Sequence, residues 1–285
     1  MRHETFETGS SVELQVQLGA GEIRLEAANT NETTVQLEPI KHNEATTKAI
    51  ENARVEMRGG TDRHEVIVDL RGRTRLFRGV EVLVQIRCPE GADLEVRCGS
   101  ASLQGTGRLG SIKLNSGSGE VVLDEIDADA KINTASGDVR LGDIGGEANI
   151  NSASGDVELG AVVGDVNVNT ASGDITVRAA GGKLKANSAS GEVTVREARS
   201  SLSVNTASGD QTVGRLSEGR AELKSASGDL AIGIKEGATL WVDARSRSGS
   251  VRSELPVSET PPEGAQPQVE LKANTMSGDV EITRA

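Results

Sequence analysis

A repeat of eighteen residues constrains this chain more than any other feature of its sequence. A unit of the form Asn-Ser/Thr-Ala-Ser-Gly-Asp/Glu-Val recurs along the C-terminal two-thirds. Its glycines are Gly119, Gly137, Gly155, Gly173, Gly191, Gly209, Gly228, Gly249 and Gly278. The intervals are 18, 18, 18, 18, 18, 19, 21 and 29 residues. A degenerate copy, Cys98-Gly99-Ser100-Ala101-Ser102-Leu103, lies one period earlier. Self-similarity at a fixed period of this size marks a stacked repeat architecture.

Within a period the apolar residues alternate. Ala148, Ile150, Ser152 and Ser154 share one face of a strand, and Val157 and Leu159 point the same way after a Gly-Asp corner. Val162 belongs to a short third segment, and Gly164 turns the chain back. The same positions stay apolar from period to period, as in the column Ile112, Ala130, Ala148, Val166, Leu184 and Leu202. An up-and-down meander would hold equivalent residues two strands apart. A solenoid makes each period one coil and stacks equivalents about 4.8 Å apart. Stacking alone lets Asn, Ser/Thr and Ser form ladders of like side chains. The expected fold is therefore all-β: a right-handed parallel β-solenoid of about ten coils, its hand set by the crossover rule. A lone coil buries too few side chains to order its own backbone, so the coils must fold together.

Composition agrees with a thin core. Apolar residues make up 35% of the chain, and the aromatics are Phe6, Phe77 and Trp241, with no tyrosine. The net charge of −12 argues against nucleic acid and anionic membranes, which select clustered Lys and Arg. Cys88 and Cys98 match no zinc spacing. Buried free thiols are the default expectation and a bridge between them the alternative. Met1–Phe6 has no basic stretch leading into an apolar run, and no run approaches eighteen apolar residues. The expectation is a cytoplasmic protein with no signal peptide or membrane span.

The two ends depart from the repeat. Residues 1–95 predict an N-terminal β-rich segment and cap, with 96–285 as the solenoid repeats. Strands are expected near Glu4–Phe6, Val12–Leu18, Glu22–Glu26, Thr33–Leu37, Arg54–Arg58, Glu65–Leu70 and Val80–Arg87. Asn43 would cap a short helix over 44–52 with Ala45, Ala49 and Ile50 as its apolar stripe. Near the C-terminus, residues 253–268 carry Pro256, Pro261, Pro262 and Pro267 and predict an excursion loop. Val269, Leu271, Ala273, Thr275 and Ser277 then restore the repeat.

The Asn-Thr-Ala-Ser-Gly-Asp-Val units resemble the bacterial β-strand-repeat family labelled "putative adhesin", a domain of unknown function. Val12-Glu13-Leu14-Gln15-Val16, then Gly19-Ala20-Gly21 before Ile23-Arg24-Leu25, look like that family's N-terminal portion. The resemblance covers nearly the whole chain. It implies a β-solenoid and cell-surface ligand binding, with a cell-envelope-stress role as the runner-up. It brings no catalytic residues.

The residues offer several candidate chemistries. The acidic column Glu120, Asp138, Asp156, Asp174, Glu192, Asp210, Asp229 and Asp279 suggests calcium, but each coil offers one acid after a lone glycine. A turn role, with the carboxylate accepting local backbone N–H groups, is the preferred expectation. Thr134 with Ser136, Ser152 with Ser154, Thr170 with Ser172 and Ser188 with Ser190 resemble an ice-binding array, yet their parity with Ile132 and Ile150 predicts internal ladders. Serine catalysis needs a base within reach, and His3, His42 and His64 all precede the repeats as expected surface residues. No enzyme and no cofactor is expected.

What remains is a non-enzymatic scaffold or interaction module, with an adhesin-like ligand-binding surface as the alternative. The candidate surface is a plain outer strip: Asn133, Asn151, Asn169 and Asn187 in one column, Ala135, Ala153, Ala171 and Ala189 in the next. An ordinary solvated face would carry Lys and Glu there. Trp241, outward by parity, is a further candidate, to be covered by the proline-rich excursion or by a partner. The partner class is an unknown protein or a second copy.

Overall fold

A computed structural model describes residues 1–59, 64–70, 79–255 and 267–285. Among these residues the chain is nearly all strand, with one helix. It divides into two compact units, Met1–Gly145 and Gly146–Ala285.

The first unit opens with β1 (Arg2–Glu7), β2 (Val12–Ala28), β3 (Glu32–Pro39), helix α1 (Glu44–Glu51), β4 (Arg54–Gly59), β5 (His64–Asp69) and β6 (Val82–Pro89). It continues through β7 (Asp93–Leu109), β8 (Ile112–Ser118), β9 (Val121–Ile126), β10 (Ala130–Ser136) and β11 (Val139–Ile144). The long strands β2 and β7 lie parallel, from Glu13 opposite Asp93 to Glu26 opposite Thr106. Beyond β7, β8 and β9 pair with its two halves, and β10 and β11 follow in parallel. Beyond β2, β5 pairs with the first half and β6 with the second. Strands β5 and β6 thus lie outside β2 although they come later in the chain, and parallel stacking is present well before residue 95.

The expected break between Leu18 and Glu22 is absent, and β2 runs through it as one strand. Gly21 makes this possible. It holds φ at +135°, and a Cβ there would sit 2.0 Å from the Val82 carbonyl oxygen. Antiparallel strands close this end: β4 runs against β5, while β3 runs against β6 and carries β1 on its other edge. In α1 the Asn43 side chain accepts the Thr46 N–H at 2.7 Å, as its sequence predicts. The buried stripe is Thr46, Ala49 and Ile50, whereas Ala45 faces solvent.

In the second unit the coils are regular. β12 (Ala148–Ser154), β14 (Val166–Ser172), β16 (Leu184–Ser190), β18 (Leu202–Ser208) and β20 (Gly219–Ser227) stack in parallel register, from Ala148 opposite Val166 onward. β13 (Val157–Val162), β15 (Ile175–Ala180), β17 (Val193–Ala198), β19 (Gln211–Leu216) and β21 (Leu230–Ile234) form the matching side. Val166, Leu184, Leu202 and Ala221 are buried in one inner column, and Val177, Val195, Val213 and Ile232 in another. The corners need glycine. Gly173 holds φ at +127°, and a Cβ would lie 2.2 Å from the Gly155 carbonyl oxygen one coil away.

The last two coils stack out of chain order. β24 (Val269–Ser277) pairs with β20 on one edge and with β22 (Leu240–Ser248) on the other. β25 (Val280–Arg284) sits likewise between β21 and β23 (Val251–Ser253). The final coil is inserted between its two predecessors. Of the expected excursion loop, Pro256, Pro261 and Pro262 lie outside the described residues.

Candidate functional site

The repeated corner is the most developed surface feature. Each strand bends at its alanine: the register pairs Ser152 with Thr170 and Ser154 with Ser172, passing over Ala153. The bend separates the two hydroxyl columns that parity had placed together. Ser152, Thr170, Ser188 and Thr206 are buried, but Ser154, Ser172, Ser190 and Ser208 are exposed beside Ala153, Ala171, Ala189 and Ala207. The expected internal ladder therefore holds for one column and not for the other. The buried hydroxyls serve the corner itself. Ser152 and Thr170 each donate to the carbonyl of the serine two residues on, at 3.0 Å in both cases.

The asparagine column is half-buried and self-paired. In the second unit Asn169 donates to Asn151 at 3.0 Å, Asn187 to Asn169 at 2.8 Å and Asn205 to Asn187 at 3.0 Å, each Nδ2 to Oδ1. In the first unit Asn133 donates to Asn115 at 3.1 Å, and Ala135 is exposed. Amides held in this way form a rigid margin to the alanine strip. The column ends in charge: beyond Asn205 it is occupied by Lys224, Asn274 and Arg245.

The acidic column does a related task. Asp156 Oδ1 accepts the Asp174 N–H at 2.9 Å, and Asp174 accepts the Glu192 N–H at 2.8 Å. Asp210 accepts from Asp229 at 2.8 Å, Asp229 from Asp279 at 2.7 Å, and Asp279 from Ser250 at 2.7 Å. The accepted N–H is not local, as a simple turn predicts, but lies one coil on. The Ser250 N–H holds the Asp279 carboxyl below the usual carboxylate range. Among the described residues no three His, Cys, Asp or Glu side chains group as metal ligands.

Trp241 is half-buried on β22, and Lys272 of β24 lies over its ring, with Nζ 5.8 Å from the centroid. Leu240, Val242 and Ala244 share the inward side of that strand and are only half-buried. His3 and His42 are exposed; His64 is half-buried. Both thiols are free. Burial, aided by the nearby charge of Glu26, pushes the Cys88 thiol up to about 12. Burial also raises Cys98, whose Sγ lies 3.3 Å from Ser116 Oγ.

Two shallow grooves have no signature in the sequence. One, of about 440 Å³, lies in the second unit and brings Lys183, Lys185 and Arg220 beside Asp165 and Glu222. The other, of about 450 Å³ in the first unit, has Arg24, Arg87, Glu26, Gln85 and Gln104 on its walls. Their residues come from outward positions of adjacent strands and from the turns that lead into them, which carry no repeating signal. Both grooves offer hydrogen-bonding groups of mixed charge, suited to holding a polar surface.

Fold and corner chemistry together define a β-solenoid repeat protein. The chain belongs to the Toastrack DUF4097 family, whose model matches residues 12–217 and 183–283. No curated protein matches it. Among solved structures it is similar to a "putative cell adhesion protein" from Clostridium sporogenes, at 10% identity over 100% of this chain and 99% of that one, with a TM-score of 0.27. A "putative adhesin" from Bacteroides fragilis is 10% identical over 98% of this chain and 96% of that one, with a TM-score of 0.40. A "putative lipid binding protein" from Parabacteroides distasonis is 16% identical over 82% of this chain and 95% of that one, with a TM-score of 0.42.

Proposed function

We propose that this protein is a non-enzymatic interaction module that presents its alanine–serine corner strip to a protein partner. One observation carries the reading: in coil after coil of the second unit, Ala153, Ala171 and Ala189 are exposed beside Ser154, Ser172 and Ser190. Lys and Glu, which guard other outward positions, are missing from these two columns. Alanine loses almost no side-chain entropy on being covered, and serine loses little. The asparagine ladder and the hydroxyl-to-carbonyl bonds already hold the backbone in place. Such a strip is pre-organised for a flat contact. Asn133 and Ala135 extend the same surface chemistry in the first unit. Two free thiols agree with a reducing, cytoplasmic setting.

The test is a paired capture experiment. Ala153→Arg with Ala189→Arg should leave the melting temperature unchanged and remove the partners that the parent chain retains from cells. A folded double variant that keeps every partner would show that the strip is only a by-product of the coil.

A further inference from the structure

We infer that the C-terminal end of the solenoid is a self-association surface, on which β22 pairs antiparallel with β22 of a second copy. Among the described residues β24 is the one strand paired with β22, and none of them pairs with the other edge of β22, which presents its backbone groups outward. The inner side chains behind this edge are incompletely covered. Leu240, Val242 and Ala244 are half-buried, whereas Ala221, Leu271 and Ala273 in the two coils beneath are 0% exposed. On the facing side of the same coil Val251 is 45% exposed.

The occupant follows from hydrogen-bond parity and charge. The Thr239 carbonyl accepts the Val269 N–H at 3.0 Å, so up to the bend at Arg247 the odd-numbered residues of β22 address β24. Leu240, Val242, Ala244 and Ser246 then point their N–H and C=O groups away from the stack. An isologous two-fold axis through Ala244 makes it a hydrogen-bonded pair with itself and pairs Val242 with Ser246 of the other copy. The same axis sets Asp243 opposite the other copy's Arg245, and Trp241 toward its Arg247. Those are an opposite-charge pair and a cation–π pair, each made twice. No one-residue shift of this axis keeps both parity and charge: centred on Asp243 it uses the wrong backbone groups. Arg245 has its side chain 77% exposed, reaching Asp243 at 2.9 Å within its own strand, so it is available to bridge. A second copy is therefore a partner this strand already complements.

Sedimentation of the full chain over a concentration series tests this. The parent should pass from monomer to a species of twice the mass, with a matching shift in the fluorescence of Trp241, the single tryptophan. Arg245→Glu should abolish the heavier species, because it faces Asp243 with a carboxylate. Ala244→Pro should do the same at no cost to the β24 pairing, since its N–H points outward. The exchange Asp243→Arg with Arg245→Asp should restore the dimer, because self-complementarity survives it. Ala153→Arg with Ala189→Arg should leave it intact, which separates this surface from the corner strip. A parent that stays monomeric at every concentration would overturn the inference. So would an Arg245→Glu chain with unchanged circular dichroism that still dimerises.

Discussion

At the N-terminal end the outermost parallel strands are paired on both edges: β5 lies between β2 and β4, β6 between β2 and β3. At the C-terminal end the corresponding strands, β22 and β23, have one described neighbour each, β24 and β25. Both ends share one device. In each, the coil nearest the chain terminus, 12–28 or 269–284, is tucked one place in from the end, and its neighbour in sequence lies outside it. The device alone does not finish an end. What distinguishes the two is the antiparallel cover of β1, β3 and β4, which turns an edge into an interior. Val66 of β5 is 0% exposed under that cover, while Val242 of β22 is half-buried without it. A solenoid coil draws much of its stability from its neighbours, so a covered end and an edged end should differ in local stability even though their coils are built alike.

The largest effect should come from a charge placed at equivalent inner positions. Val66→Asp should destabilise by about 4 kcal/mol or more, because the carboxylate is sealed between β2 and β4. Val242→Asp should cost about 1 kcal/mol, because water already reaches that side chain. Denaturant titration of both variants decides the matter, and equal losses would break the comparison.

A smaller effect separates stacked corners from the open N-terminal turn. Gly173→Ala meets the Gly155 carbonyl oxygen and an unfavourable φ, and should cost about 3 kcal/mol. Gly9 also has a positive φ, +60°, but a Cβ there meets nothing within 4 Å, so Gly9→Ala should cost about 1 kcal/mol. Thermal melts that rank the pair the other way would show that packing against the next coil is not what demands glycine.

The smallest effect sharpens the account of the C-terminal end. The Ser250 N–H, which ties the outer coil to the inserted one, keeps the Asp279 pKa below its unfolded value. Its contribution is therefore fully present above about pH 4 and is lost as the pH falls through the depressed value. Asp279→Asn should lower the melting temperature slightly at neutral pH and flatten its acid decline. An unchanged acid limb would mean that this contact does not hold the outer coil.

Much of the fold was legible in the residues. The period, the inner columns, the N-cap at Asn43 and the strands of the N-terminal segment follow from alternation and turn chemistry, which are local. The corner strip was half legible. Its alanines and asparagines stand out by position, but strict parity placed Ser154 inside with Ile150. The bend at Ala153 reverses the serine, and a bend of one residue leaves no periodic trace. Likewise Asp156 announces a turn, but the sequence does not say that it bonds to the following coil rather than to its own.

By itself the sequence determined that this chain is a stack of coils, because an eighteen-residue period that repeats Asn, Ser/Thr and Ser at fixed positions brings like side chains together only when each period is one coil. Tertiary structure alone decided the order of that stack and the character of its ends. The coils 219–234, 240–253 and 269–284 all present an apolar inner face and a parallel backbone ladder, so any of them could follow another. Only the full three-dimensional arrangement sets 269–284 between the other two in the second unit, and covers β6 and β5 with β3 and β4 in the first, while among the described residues β22 has β24 alone as its neighbour.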